Sequence, residues 1–312
     1  MARPPLLCQG GESAPPKRST RLNAIRNTPV EQFASGWKRN YYGKGDVIVY
    51  RLRRDGKTAA GQSPVFGANI KMLVYGDAFW QTYTTGDNAG LIATDSMKNF
   101  IQREALNYAG PDLEDCCRFL GAKFLETYPQ VEGVQVSSIE MPYCSLTDDQ
   151  VSFAPSGPER AIARIELNRV GTVEVASGIR GFKLLRLGGS AFQGFVRDQY
   201  TTLPDVANRP LHMWLDLEWL YSAPSAGFSS GTITAAVRRL VHEVFCAFES
   251  GSIQQVIYQI GSKILAEIPA VAEIHLEANN RTWDAIGERG DEVGVYTEPR
   301  PPYGCLGLRL RR

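Results

Sequence analysis

Strand-like and helix-like periodicities succeed one another in the same order twice along this 312-residue chain, and that repeated order narrows its fold more than any other feature. In the first round Val47 and Val49 alternate with Ile48, Tyr50 and Leu52 in YYGKGDVIVYRL, and NIKMLVY (69–75) follows as a second strand after a Gly/Ser/Pro loop. Met97, Phe100, Ile101 and Ala105 then recur at helical spacing until Gly110-Pro111 stops the helix. A second helix, from Asp112, carries Leu113, Cys116, Leu120 and Phe124 on one stripe, and GVQVSSIEM and QVSFAP close the round as strands. The second round opens with the strands ARIELNRV, TVEV and GFKLLRL. It continues through a segment that reads as loop-rich (189–230), the helices TITAAVRRLVHEVFCAF and SIQQVIYQIGSKILAEI, and the strands VAEIHLE and CLGLRL. The repetition predicts a duplicated domain. Runs of strands beside paired helices predict the α+β class, with antiparallel sheets carrying paired helices on one face rather than alternating βαβ units. The expected division is a flexible basic tail over residues 1–38, a first domain over 39–156 and a second over 157–312.

The strand DVIVYRL is apolar on both faces, so the sheet face away from the helices needs a cover, and a second copy of the chain is the natural one. Hydrophobic residues at 43% and charged residues at 21% suit a globular protein. A net charge of +1 supplies no strong field to recruit nucleic acid or an anionic membrane. No apolar run approaches the length of a membrane span, and MARPPLLCQGG is too short and proline-broken for a signal peptide. In the tail Arg3, Lys17, Arg18, Arg21, Arg26 and Lys38 outweigh Glu12 and Glu31 without sustained periodicity, the pattern of a solvated segment. Six cysteines contain no C-x-x-C pair and three histidines no H-x-x-x-H pair, which predicts reduced thiols in a cytoplasmic protein and no metal centre. No G-x-G-x-x-G follows a strand, so no dinucleotide cofactor is expected. The terminal RLRR is not a peroxisomal address, in keeping with a cytoplasmic home.

Five stretches carry a more specific signal: YGKGDV (42–47), YTTGDNAGLIATDSMKN (83–99), SAFQGFVRDQYTTLPD (190–205), SIQQVIYQI (252–260) and EANN (277–280). Together, and in this order, they resemble the urate oxidases (uricases), cofactor-independent oxidases built from tandem tunnelling-fold (T-fold) domains. The resemblance extends over essentially all of the chain past the tail. It implies an oligomeric barrel, a homotetramer with active sites between subunits, and oxidation of urate by O2 and water to 5-hydroxyisourate and H2O2 without metal or flavin.

The resemblance also implies roles. Lys44 and Thr94 of one chain form the couple that deprotonates urate and relays the proton, with the Asp95 backbone N–H on the substrate. From the neighbouring chain, Phe192 stacks on the purine, Arg209 grips its edge with two parallel hydrogen bonds, and Gln254 pairs with the opposite polar edge. Leu203, Ile253 and Leu306 line the pocket or contact the ligand through backbone groups, and Asn279 holds dioxygen or water above the ring.

Read locally, the same residues have plainer uses. Thr94 or Asp95 is a helix N-cap, Lys44 a solvated turn residue, Phe192 core, Arg209 a surface cation, Gln254 a capping amide and Asn279 a turn residue. One departure stands out. Where many family members read Asn-Lys-His, this chain reads Asn279-Asn280-Arg281. An arginine cannot release a proton near neutral pH, so Arg281 either acts electrostatically, depressing the pKa of Lys44 and steadying the urate anion, or the relay runs through water. A non-catalytic purine-binding T-fold protein is the alternative function.

Overall fold

The computed structural model describes residues 40–54, 63–228, 231–281, 283–290 and 292–312; the expected tail lies outside them. The body, Asn40–Arg312, is organised on strands β1 (Tyr42–Leu52) and β2 (Val65–Tyr75), helices α1 (Trp80–Thr84), α2 (Thr94–Glu104) and α3 (Leu113–Thr127), and strands β3 (Gly133–Glu140), β4 (Tyr143–Ser145), β5 (Phe153–Pro155) and β6 (Arg160–Asn168). The second half comprises β7 (Gly171–Arg186), β8 (Leu211–Tyr221), α4 (Gly231–Ala247), α5 (Ile253–Glu267), β9 (Val271–Asn280), β10 (Ala285–Arg289), β11 (Val293–Tyr296) and β12 (Gly304–Arg311). Eight of the strands form one antiparallel sheet in the order β1-β2-β3-β6-β7-β8-β9-β12, while β4–β5 and β10–β11 are separate hairpins.

Two strands, two long helices, two strands: this order occurs once from β1 to β6 and again from β7 to β12. Side-chain contacts repeat it. In α3, a Cβ on Gly121 would lie 2.6 Å from Leu167 Cδ1 on β6; in α5, a Cβ on Gly261 would lie 2.8 Å from Leu310 Cδ1 on β12. Each glycine is where a helix backbone comes down onto the sheet. Two residues beyond each leucine an arginine reaches a helix C-terminus. Arg169 donates to the carbonyls of Leu125 and Tyr128, each at 2.8 Å, and Arg312 to those of Leu265 and Ile268. Late in the first strand of each half, Arg51 donates to Tyr108 and Gly110 carbonyls after α2, and Arg186 to Phe245 and Phe248 carbonyls at the end of α4. Arg169, Arg186 and Arg312 thereby satisfy carbonyls at helix ends and sit at the negative end of the helix dipole, while Arg51 ties down the loop after α2.

The helix-covered face of the sheet runs unbroken through cross-strand partners Ile70, Ser138, Ala163, Ser177, Trp219 and Ile274, all buried. The other face is mixed. At its centre Arg164 pairs with Glu174 at 2.5 Å and Glu218 at 3.0 Å, beside Lys71, Ser137 and Arg180. Towards the edge strand β1 it is apolar, where Ile48 (46%), Tyr50 (45%) and Leu52 (58%) are exposed on that same face, Ile48 across from Asn69.

Other differences have local causes. The loop-rich segment contains β8, a central strand whose Leu211, Met213, Leu215, Leu217, Trp219 and Tyr221 are all buried; its alternation is regular but His212, Trp214, Asp216 and Glu218 between them masked it. TVEV and GFKLLRL are one strand, β7, bent where Gly181 takes φ +83° and its N–H donates to Asp216 Oδ1 at 2.8 Å. The helix α2 stops at Glu104, short of Gly110-Pro111.

Replacing Gly121 or Gly261 with alanine should destabilise the fold by similar amounts, about 1–3 kcal/mol each, because each Cβ meets a leucine at less than contact distance. Denaturant unfolding of the two variants measures this; a loss at one position alone would contradict their equivalence.

Candidate active site

The residues singled out in the sequence gather at two corners of the sheet. The first lies at the start of β1. A bulge between Lys44 and Val47 sets two residues of β1, Gly45 and Asp46, against one of β2, Lys71, with Asp46 at φ 55° and Asn69 Nδ2 donating to its carboxylate at 3.2 Å. The extra residue turns Lys44 to the helix-bearing side, where it pairs across the ladder with buried Met72. Tyr42, two residues earlier, packs edge-on against Phe79 with centroids 5.0 Å apart, and its hydroxyl accepts the Ile92 N–H at 2.9 Å. That bond ties the approach to α2 onto β1 and brings Lys44 near the helix start.

Thr94 is not the N-cap. Ala93 occupies that position without a side-chain bond, and Thr94 is the first helical residue, exposed, its hydroxyl unused by the helix. Asp95 accepts from Lys98 Nζ at 2.5 Å and Asn99 Nδ2 at 3.0 Å. Lys98, with a smaller contribution from Lys44, holds its carboxyl below the usual range. The TDS-x-KN pattern is thus a first-turn acidic clasp that leaves the threonine hydroxyl free.

The second corner lies at the opposite end of the strands, around β8 and β9. Backbone bonds stitch three segments together there: Arg209 N–H to Ser190 O at 2.9 Å, Ala191 N–H to Ser250 O at 2.7 Å, and a reciprocal pair between Phe192 and Val206 at 2.8 and 3.0 Å. Phe192 and Arg209 are thereby set close to the start of α5, where Ser252 caps the helix through Gln255 N–H, Ile253 is buried and Gln254 is exposed. The Phe192 ring stacks on Phe195 (centroids 4.9 Å, 14°), and Arg209 Cζ stands 5.7 Å from the Phe192 centroid. Leu203 is exposed on the same loop, whereas Leu306 packs on the core from β12.

A cavity of about 290 Å³ adjoins, lined by Arg209, His212, Asn280, Arg281, Trp283, Glu288 and Tyr296 among others. Neither arginine has a carboxylate partner among the described residues, and the Nε of each is buried without a hydrogen bond. Burial lowers the pKa of Arg209. Arg281 is clamped between Trp214 and Tyr303, 4.0 and 3.9 Å from their centroids. Two half-buried guanidiniums with no ion pair among the described residues, beside an aromatic ring, can receive a flat anion.

The asparagine in this cavity is Asn280. Asn279 lies one residue earlier, paired with Trp214 and Cys305 on the charged side of the sheet. Strand alternation puts the two on opposite sides of β9, Asn280 across from Met213. His212 and Trp283 were also missed, because an isolated histidine and tryptophan carry no spacing signal.

Lys44 and Arg209 belong to diagonal corners. Five strand spacings separate β1 from β8, about 24 Å, and the corners differ by most of a strand length as well. One chain does not bring them together.

Known proteins align over this same body. The sequence model of the family described as Uricase matches residues 40–166 and 175–306. A "Uric acid degradation bifunctional protein" of Bacillus sp. (strain TB-90) is 37% identical over 293 residues, 85% of this chain and 58% of that protein. A second bifunctional relative, PucL of Bacillus subtilis, is covered over 60% of its length, so the chain spans about three-fifths of both. A "Uricase" of Haloferax volcanii is 36% identical over 87% of this chain and 97% of its own length. The crystal structure of a uricase from Bacillus fastidious superposes with a TM-score of 0.79 at 33% identity, over 88% of this chain and 94% of that one. No helix among the described residues is long and apolar enough to cross a membrane.

Capping gives a direct test of the first corner. Ser252→Ala should cost about 1 kcal/mol in thermal or denaturant unfolding, whereas Thr94→Ala should leave stability nearly unchanged, since only the serine caps its helix. At the second corner, Arg281→Lys exchanges a planar group for a compact ammonium between Trp214 and Tyr303. It should lower the melting temperature and alter tryptophan fluorescence.

Proposed function

The chain belongs to the uricase family, and on that premise we propose that it oxidises urate with O2 and water to 5-hydroxyisourate and H2O2, without metal or flavin. The observation that carries the reading is the pair of unpaired guanidiniums, Arg209 and Arg281, in a cavity beside the Phe192 ring. Urate is planar, oxygen-rich and anionic at neutral pH. Phe192 offers an apolar face, Arg209 a planar two-pronged donor, and Gln254 an amide at the start of α5. Leu203 and Ile253 complete the wall. In this reading Asn280, rather than Asn279, presents its amide to water or dioxygen.

The base comes from elsewhere. Lys44, held beside the start of α2 with the free Thr94 hydroxyl and the Asp95 N–H, takes the proton from the ring. The urate dianion then gives two electrons to dioxygen; water adds at the oxidised carbon, and the protons leave with peroxide. Since Lys44 and Arg209 sit at diagonal corners, each site takes its base from one chain and its receptor from another. The free edges of β1 and β12, with Ile48, Tyr50 and Leu52 exposed on the former, support a closed homotetramer. Arg281 of the receptor corner then meets Lys44 only across that junction, where its charge would disfavour the ammonium. We further propose two tandem T-fold domains that divide at the β6–β7 turn, fourteen or so residues past the boundary expected between 156 and 157. Five free thiols among the described residues agree with a cytoplasmic setting.

Loss of near-ultraviolet urate absorbance together with oxygen uptake is the direct assay; tight binding without consumption would instead support a purine-binding protein. The shared site has its own test. Lys44→Ala and Arg209→Ala should each abolish turnover alone, yet co-expressed as mixed oligomers they should recover roughly a quarter of the activity, because random pairing rebuilds that share of sites. No recovery would place base and receptor in one chain.

A further inference from the structure

One titratable group in the receptor cavity has no part in the scheme above. His212, the second residue of β8, lines the cavity with Arg209, Asn280 and Arg281. Its ring is fixed in plane by stacking on Trp283 (centroids 5.3 Å, 19°), which leans in turn on Tyr296 at 5.4 Å. Its carbonyl accepts the Arg281 N–H at 3.2 Å, so main chain and side chain are both anchored.

Its two nitrogens are not equivalent. Nδ1 is buried and has no hydrogen-bond partner. A neutral imidazole carries one N–H, and a proton on Nδ1 would strand a donor inside the protein. The proton therefore belongs on Nε2, the nitrogen left to face the cavity. The groups around the ring are Lys183 from β7, Arg209 ahead of β8, Arg281 after β9, Glu288 from β10 and Tyr296 from β11; the Glu288 carboxylate already accepts the Tyr296 hydroxyl at 3.0 Å. Burial first, then Lys183 and Arg281, push the imidazole pKa down. It stays uncharged at neutral pH.

We propose that His212 is a positioning residue of this cavity, a neutral imidazole whose Nε2–H donates to an oxygen on the edge of the planar anion held by Arg209. The two guanidiniums attract any anion; a fixed, uncharged donor selects one with an oxygen at the right place and orients it on Phe192. This rests on the uricase reading.

The test compares His212→Phe, which keeps a ring on Trp283 but removes the donor, with His212→Gln, which keeps a donor. Steady-state urate oxidation should show KM raised about tenfold in H212F with kcat within about threefold, and H212Q within about threefold of the parent in both. With three histidines in the chain, 15N-histidine NMR of the full-length protein and of H212Q identifies the ring, which should hold its proton on Nε2 at neutral pH and above. An unchanged KM in H212F, equal damage in both variants, or a proton on Nδ1 would overturn the proposal while leaving the reaction standing. If the parent protein neither binds nor consumes urate, the reaction and the role of His212 fall together.

Discussion

Hydrogen bonding between β6 and β7, from Arg160 opposite Arg180 to Asn168 opposite Gly171, joins two four-stranded halves into one sheet. Everything about the placement of the chemistry depends on that ladder. Were the halves separate bodies, Lys44 and Arg209 could approach by rotation about a linker. Locked into eight paired strands, they are held at diagonal corners, and one chain does not bring them together. The bulge at Lys44 and the stitched loops around Phe192 then refine what the sheet has already positioned.

Duplication is visible in contacts that composition would never suggest. Gly121, Leu167 and Arg169 in the first half stand in the same relation as Gly261, Leu310 and Arg312 in the second. The glycine sets how near the helix lies, the leucine fills the space, and the arginine closes the helix end. Function has diverged over this shared frame. The first half supplies a half-buried lysine, a free hydroxyl and an acidic clasp; the second supplies two half-buried guanidiniums and aromatic rings.

Much of this was legible in the sequence. The helical stripes of α3 and α5, and the motifs around Lys44, Thr94, Phe192 and Arg209, stand out because apolar period and residue type agree. Where reading failed, two signals conflicted or one was absent. The alternation of β8 was masked by the polar and aromatic groups its other face carries. Thr94 has the chemistry of a cap, yet the chain turns into the helix one residue earlier, so its hydroxyl stays free. Asn279 and Asn280 fall on opposite sides of β9, the first across from Trp214 and the second across from buried Met213, a difference that adjacency in sequence does not show. The second sheet face is apolar at β1, as that strand's pattern implied, while Lys71, Arg164 and Glu218 on the strands beyond add charge that the β1 pattern could not foretell.

The unpaired flanks of the sheet carry a cost of their own. A strand edge with open backbone groups will accept any extended segment, and β1 adds three outward apolar side chains to that invitation. At the far flank the guanidiniums of Arg309 and Arg311 lean towards Glu273, placing charge along β12 where a stray chain would dock. A contact between such unlike flanks is head-to-tail by nature, so geometry decides whether copies close into a ring or run on as a filament. Ring closure, where the geometry allows it, both hides such sticky borders and fixes how many copies can take part.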